Sequence, residues 1–269
     1  MIPLVVLDLD GTLIDSSGQV DECVWDAVEE LRSVGVKMSV CTGRPSAGVA
    51  LRVAKRLGHR NPHIFQTGAL ISDPAGDTLH VAALRESVAL QLVEYARELG
   101  YTLELYTPTT LYVERKTQIS EAHAKMIGVT ALVRDLAEVA RIEPVVRAQW
   151  VVTSDQRAQV EGLPLPGAQL SSANSPALPN TAFVSVTREG VSKGSAVKLL
   201  AEMQGVPLRD VMAIGDSEGD VPMLEAVGHP LVMPSAPLAV RERFPVLAKS
   251  VEECGVVEAL EKALTLERA

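Results

Sequence analysis

The sequence predicts an α/β protein, with a parallel-sheet core interrupted in sequence by an inserted α/β (α+β) domain. Three observations carry that prediction. Short runs that are apolar on both faces alternate with helix-period stretches at both ends of the chain. Several of these runs end in Asp, Thr or Gly-Asp. Between them, the middle of the chain changes to strands in which charged and apolar residues alternate.

In chain order, residues 4–9 form a β-branched-rich run, followed by a helix pattern over 20–34 that Gly35 closes. Residues 36–41 read as the next buried strand. A second helix follows Pro45 and fades at Gly58, and residues 63–66 form a third short strand. A turn signal at 73–76 sits inside a hairpin. A helix is expected from Leu84 to about Leu99, then half-exposed strands at 101–106 and 111–114. Residues 148–153 and 182–186 extend this second sheet, while 163–179, rich in Pro, Ser, Gly and Asn, is partly loop. From Ser192 the parallel rhythm returns, with a helix to about Met203, an apolar run at 211–214, a helix near 221–226 and a last helix before the C-terminus. The expected division is a core of residues 1–82 and 187–269 around an inserted domain of 83–186.

Hydrophobic residues make up 47% of the 269, so a real core is available, and with 3% aromatics it must be mostly aliphatic. The formal charge of −9 argues against a nucleic-acid binder, which needs a basic face. The first apolar run stops at Asp8, too short for a signal peptide or membrane span. The 3 cysteines, Cys23, Cys41 and Cys254, are far apart and odd in number, which indicates neither a zinc knuckle nor a disulfide framework. A reduced, cytoplasmic protein without membrane or nucleic-acid partners is the expectation. No pattern in the sequence specifies an oligomeric state.

Four motifs carry chemistry. In Asp8-Leu9-Asp10-Gly11-Thr12, residues i and i+2 at a strand end face the same crevice, where open parallel sheets bind ligands. Two adjacent carboxylates repel unless a cation or a proton relieves them, and Mg2+ would do so. The plainer reading is a strand end closed by solvated acids and a Gly turn. Cys41-Thr42-Gly43-Arg44 is read as a strand end running into a helix, suiting a phosphate oxygen at Thr42 and Gly43 with Arg44 nearby, or serving only as an N-cap. Lys193 opens a helix, where the dipole disfavours a cation, and nearby carboxylates and phosphate would explain it. Gly215-Asp216-Ser217-Glu218-Gly219-Asp220 gathers acids at another strand end. Asp216 is the natural further donor for Mg2+, and Asp220 either ligates through water or orients Lys193.

Taken together, these motifs resemble those of the haloacid-dehalogenase-like (HAD) hydrolase superfamily. The long insertion, with Gly68-Ala69-Leu70-Ile71 and Gly190-Val191-Ser192-Lys193-Gly194, is similar to its Cof-type phosphatases with a large α/β cap. The resemblance implies a Rossmann-like parallel-sheet core with an inserted α/β cap domain that closes over it and selects the leaving group. It implies an Mg2+-dependent phosphatase acting on a small phosphorylated metabolite, a sugar phosphate first among them. Asp8 would then be the nucleophile, forming an aspartyl-phosphate, and Asp10 the acid and base. Metal ligation would fall to Asp8, Asp10 (through its carbonyl), Asp216 and, less directly, Asp220. Thr42, Gly43, Arg44 and Lys193 would hold the substrate. Two positions depart from the family pattern, because Gly219 and Thr67 stand where it carries Asn.

Other readings remain open at this stage. Gly190-Val191-Ser192-Lys193-Gly194 fits G-x-S-x-G, and Ser192, Asp216 and His229 fall in the order of an α/β-hydrolase triad. Arg188 and Glu189 intervene where a strand should run into the turn, and that reading leaves Asp8 and Asp10 unexplained. A phosphomutase of the same fold and a non-catalytic phospho-ligand sensor are further alternatives. His59 and His63, separated by Pro62 from any common helix, read as surface or loop histidines, and Trp25 and Trp150 as packing residues.

Overall fold

The computed structural model describes residues 1–174 and 178–266. Strand β1 (Leu4–Leu7) is buried throughout. Helix α1 (Glu22–Ser33) is capped by Asp21, whose side chain accepts from Cys23 N–H, and buries Val24, Trp25, Val28 and Leu31 as one stripe. Strand β2 (Lys37–Val40) runs parallel to β1. After α2 (Gly48–Gly58), strands β3 (His63–Phe65), β4 (Leu70–Ser72) and β5 (Thr78–Val81) form a small sheet in that order. The predicted turn at 73–76 lies between β4 and β5, where Asp73 Oδ1 accepts from the Gly76 and Asp77 amides.

His63 corrects the surface expectation. It is fully buried, accepting from Val40 N–H at Nδ1 and lying 3.1 Å from Gly58 O through Nε2. That pattern fixes a neutral ring with its proton on Nε2. Burial pushes its pKa down to about 4, against the smaller opposing effect of the Gly58 carbonyl.

The middle of the chain contributes α3 (Glu86–Leu99), β6 (Thr102–Tyr106), β7 (Leu111–Val113), α4 (Gln118–Ile127), β8 (Ala131–Val133), α5 (Leu136–Ile142), β9 (Arg147–Thr153), α6 (Arg157–Glu161), β10 (Ala168–Asn174) and β11 (Thr181–Arg188). These strands form one six-stranded sheet in the order β10-β11-β9-β6-β7-β8. Its pairs are antiparallel except β7–β8. Leu103, Leu105, Ala148 and Trp150 pack with Val88, Leu92 and Val139 of α3 and α5. Residues 175–177, within the predicted loop-rich stretch, lie outside the described residues.

The half-exposed character expected of β6 and β7 is not found. Glu104 is fully buried, accepting from Tyr106 Oη at 2.7 Å and lying 2.9 and 3.0 Å from His123 Nδ1. The Arg147 guanidinium stacks 4.1 Å over the Tyr106 ring. The charged residue that suggested a wet face therefore sits in a buried polar network, covered by α4. That helix escapes hydrophobic periodicity because its buried stripe is Ser120, His123, Ala124 and Ile127.

The last part returns to the first sheet through α7 (Lys193–Gln204), β12 (Val211–Gly215), α8 (Val221–Leu224), β13 (His229–Val232), α9 (Leu238–Arg241) and α10 (Gly255–Thr265). The parallel order is β13-β12-β1-β2. Leu4, Val6, Val211 and Ala213 share a core with Val197, Leu200 and Ala201 of α7. The chain divides into two compact units, one of Met1–Gly43, Arg52–Leu79 and Ser192–Ala269, the other of Arg44–Leu51 and His80–Val191. Among the described residues, no helix is long and apolar enough to cross a membrane.

The expectation of a reduced protein is also corrected, because Cys23 and Cys254 form a disulfide with their Cα atoms 6.5 Å apart. Packing of α1 against α10 brings the two together, and no sequence spacing could show it.

Burial of neutral His63 makes stability depend on pH. The folded pKa of about 4 lies below the ordinary 6.5, so the unfolded chain binds the extra proton between them. Its contribution is full above pH 6.5 and is lost as pH falls towards about 4, on the order of 3 kcal/mol in all. Urea unfolding of a His63→Asn variant should show a shallower decline over that window than the wild type.

Candidate active site

The site begins with the parallel pairing of β1 and β12. Asp8 N–H donates to Ile214 O at 2.9 Å, so the carboxyl ends of these strands lie side by side. Asp8 follows β1 and Asp216 follows β12, the two central strands, which places both at the carboxyl end of the sheet, where open α/β sheets bind ligands. Gly11 has φ +79°, and a Cβ there would collide with the Asp216 carboxylate. The first motif thus needs glycine for both its turn and its approach to the fourth.

Lys193 is the first residue of α7 and is nearly buried. Its Nζ lies 2.5 Å from Asp8 Oδ1 and 2.6 Å from Asp220 Oδ1. Asp220 is fully buried, and its other oxygen accepts from the Asp216 amide, the Ser217 amide and the Ser217 hydroxyl, at 3.0, 2.9 and 2.7 Å. One oxygen of that carboxylate thus binds Lys193, and the other accepts three hydrogen bonds from the loop after β12. Its geometry therefore suits holding Lys193 and the loop after β12 better than direct ligation of a metal.

Carboxylate oxygens of Asp8, Asp216 and Asp220 all lie within 4.8 Å of one another. With one ammonium among the three acids, full ionisation would leave two negative charges in excess. Burial, then the neighbouring Asp220, pushes Asp8 well above the usual carboxylate range despite Lys193. The same two causes bring Asp216 to about 6, with Asp10 adding to them and Lys193 opposing. Burial works against the Lys193 ammonium, yet Asp220 and Asp8 outweigh it and hold its pKa well above the ordinary value. Hard oxygen donors with an excess of negative charge fit a hard divalent cation such as Mg2+, which would favour the ionised forms of Asp8 and Asp216.

The other predicted site residues are placed differently. Asp10 is exposed, and its carboxylate is outside the group of three. Thr42 is buried, but it is not at a helix start as expected. Its N–H donates to Ile64 O at 3.0 Å, and α2 begins only at Gly48. Gly43 ends the stretch of the first compact unit, and Arg44 belongs to the second. A Cβ on Gly219 would make only an ordinary contact with Ser217 Oγ, so a side chain fits where the family pattern has one.

Ser192 caps α7, its hydroxyl accepting from Ser195 N–H at 3.1 Å. His229 Nε2 is buried without a hydrogen-bond partner among the described residues, so this nitrogen makes no hydrogen bond to Ser192. The serine-triad reading loses its support. Sequence reasoning also missed the backbone at Gln66 and Thr67, left-handed at φ 53° and 60°. The Gln66 amide is buried without a partner among the described residues. Strain of this kind in ordinary residues is common near functional sites. The only sequence signal was Thr67 in a position where the family carries Asn.

A family model described as haloacid dehalogenase-like hydrolase matches residues 5–260. A protein of Streptococcus pyogenes serotype M6, provisionally named a phosphatase, is 27% identical over 97% of this chain and 98% of its own length. The solved structure of BT1666 from Bacteroides thetaiotaomicron, described among phosphatases of the haloalkanoate enzyme superfamily, superposes with a TM-score of 0.83. It is 24% identical, covering 99% of this chain and 96% of its own, and at that identity the likeness speaks to the fold. A structure described as the HAD subclass IIB sugar phosphatase BT4131 gives a TM-score of 0.81 at 18% identity, over 98% and 99% of the two chains.

Removing the shared ammonium should be costly. Lys193→Met leaves Asp8 and Asp220 buried without their cation, an expected loss of about 3 kcal/mol at pH 7. Urea unfolding checks this, and a loss below about 1 kcal/mol would show that the contact is not a desolvated pair.

Proposed function

Because the chain belongs to the haloacid dehalogenase-like hydrolase family, in its Cof-type branch, we propose that it is an Mg2+-dependent phosphatase of small phosphorylated metabolites. Sugar phosphates are the first candidates, in line with the sugar phosphatase named among the structural relatives. The observation that carries the reading is the Lys193 ammonium held between Asp8 and Asp220, with Asp216 within reach of both acids. Phosphoryl transfer asks mainly for positioning and neutralisation of charge, and this cluster offers both.

Asp8, Asp216 and the Asp10 carbonyl would hold Mg2+. When bound, the ion supplies charge neutralisation for the transferring phosphoryl group and keeps Asp8 ionised. Lys193 and Thr42 hold phosphoryl oxygens, and Asp220 positions Lys193. Asp8 attacks phosphorus with one carboxylate oxygen as the bond to the leaving oxygen breaks. Asp10 gives its proton to that oxygen, which departs as an alcohol. Asp10, now ionised, then takes a proton from a water molecule, and that water attacks the aspartyl-phosphate. Inorganic phosphate leaves and Asp8 is restored. Exposure of Asp10 suits a group that must exchange protons with substrate and water. The inserted domain, 83–186, is assigned the choice of leaving group.

The test is a screen of phosphate monoesters, with sugar phosphates prominent, run with Mg2+, with EDTA and with Asp8→Asn. Release of phosphate should require Mg2+ and fall at least about a thousandfold in the variant, as expected when a nucleophile is lost. Undiminished turnover in Asp8→Asn would sink the mechanism, and metal-independent turnover would remove the ion from it.

A further inference from the structure

We propose that Cys23 and Cys254 are a reversible thiol–disulfide site, a redox-sensitive clasp joining the first and last helices described, α1 and α10. Both cysteines belong to the same compact unit, and neither takes part in the site above. Cys23 is the second residue of α1, a helix of 12 residues. Cys254 stands at the N-cap of α10, a helix of 11 residues. Each residue therefore sits at the N-terminal end of a helix, where the helix dipole favours a thiolate, while the Cys23, Val24, Gly255 and Val257 amides already donate to Asp21 or to backbone carbonyls. A stabilised reduced form makes a disulfide easier to reduce than one in neutral surroundings.

Access and local charge bear on the same point. Both cysteines are half-buried, within reach of a small thiol. Asp21 lies within 4.8 Å of both sulfurs and opposes the thiolates, but one of its oxygens already accepts from Cys23 N–H at 3.1 Å. Cys41 is the contrast. It is fully buried, and burial pushes its thiol far above the ordinary range, so it stays out of exchange.

The chemistry balances with a low-molecular-weight disulfide as oxidant. One cysteine thiolate attacks a sulfur of that disulfide, forming a mixed disulfide and expelling one small thiolate. The second cysteine thiolate then attacks the protein sulfur of the mixed disulfide and expels the other. Two protein thiols are oxidised and one small disulfide is reduced to two thiols. The bond closes a loop across a separation of 231 residues, so it removes much freedom from the unfolded chain. Oxidation should thus raise the stability of the fold, and reduction should lower it.

The full chain is equilibrated over a series of reduced-to-oxidised glutathione ratios, quenched with acid, unfolded and alkylated, then weighed by mass spectrometry. We expect one transition between a form with three alkylated cysteines and a form in which Cys41 alone is alkylated. Three alkyl groups at every ratio, or one at every ratio, would overturn the proposal. Thermal melting of the two forms should differ by roughly 5–15 °C, the oxidised form melting higher. Cys23→Ser should melt with the reduced wild type whatever the ratio. Equal melting of the oxidised and reduced wild type would refute the clasp.

Discussion

One ammonium shared by two buried carboxylates organises this molecule. Lys193 reaches Asp8 and Asp220 from the first residue of α7, and Asp220 in turn gathers the amides of Asp216 and Ser217. Asp8, Lys193 and the Asp216–Asp220 segment are remote from one another in sequence and converge because β1 and β12 pair in parallel with α7 packed close by. Burial makes the charges of Asp8, Lys193 and Asp220 depend on one another, since a desolvated charge that loses its partner is costly. The remaining imbalance, more acid than base, is what a divalent cation would relieve.

The same constraint accounts for how much of the site was legible. Asp8, Asp216 and Asp220 lie just beyond apolar runs whose length and β-branching mark buried strands, so their meeting follows once the sheet is taken as parallel. Lys193 was legible as an anomaly, a cation at the wrong end of a helix, and the carboxylates beside it are the reason. Thr42 and Arg44 were read less well. Pro45 suggested an early helix start, but α2 begins at Gly48 and the intervening chain is irregular. The Thr42 amide instead continues the bridge between Cys41 and Ile64 by donating to Ile64 O, and Arg44 belongs to the other compact unit.

The misread parts of the fold share a cause. Hydrophobic periodicity detects elements that bury apolar side chains, and several elements here bury polar ones. Helix α4 turns Ser120 and His123 inward, and β6 buries Glu104. His63 is hidden as a neutral ring that links Val40 to Gly58. Glu104, His123 and His63 each have a partner on another element that compensates for lost hydration, and such partners leave no trace in local pattern. The Cys23–Cys254 bond is the extreme case, linking positions separated by 231 residues.

Calorimetric titration of Mg2+ into the wild type and Asp216→Asn, at pH 6 in two buffers of different ionisation enthalpy, addresses the central claim most directly. Asp216 is brought to about 6 and Asp8 is raised well above its usual range, so a cation that binds them must displace protons. The wild type should bind Mg2+ with net proton release, and Asp216→Asn should bind at least about tenfold more weakly, a difference of about 1.4 kcal/mol. Binding of equal strength in the variant, or binding to the wild type without proton release, would contradict the account.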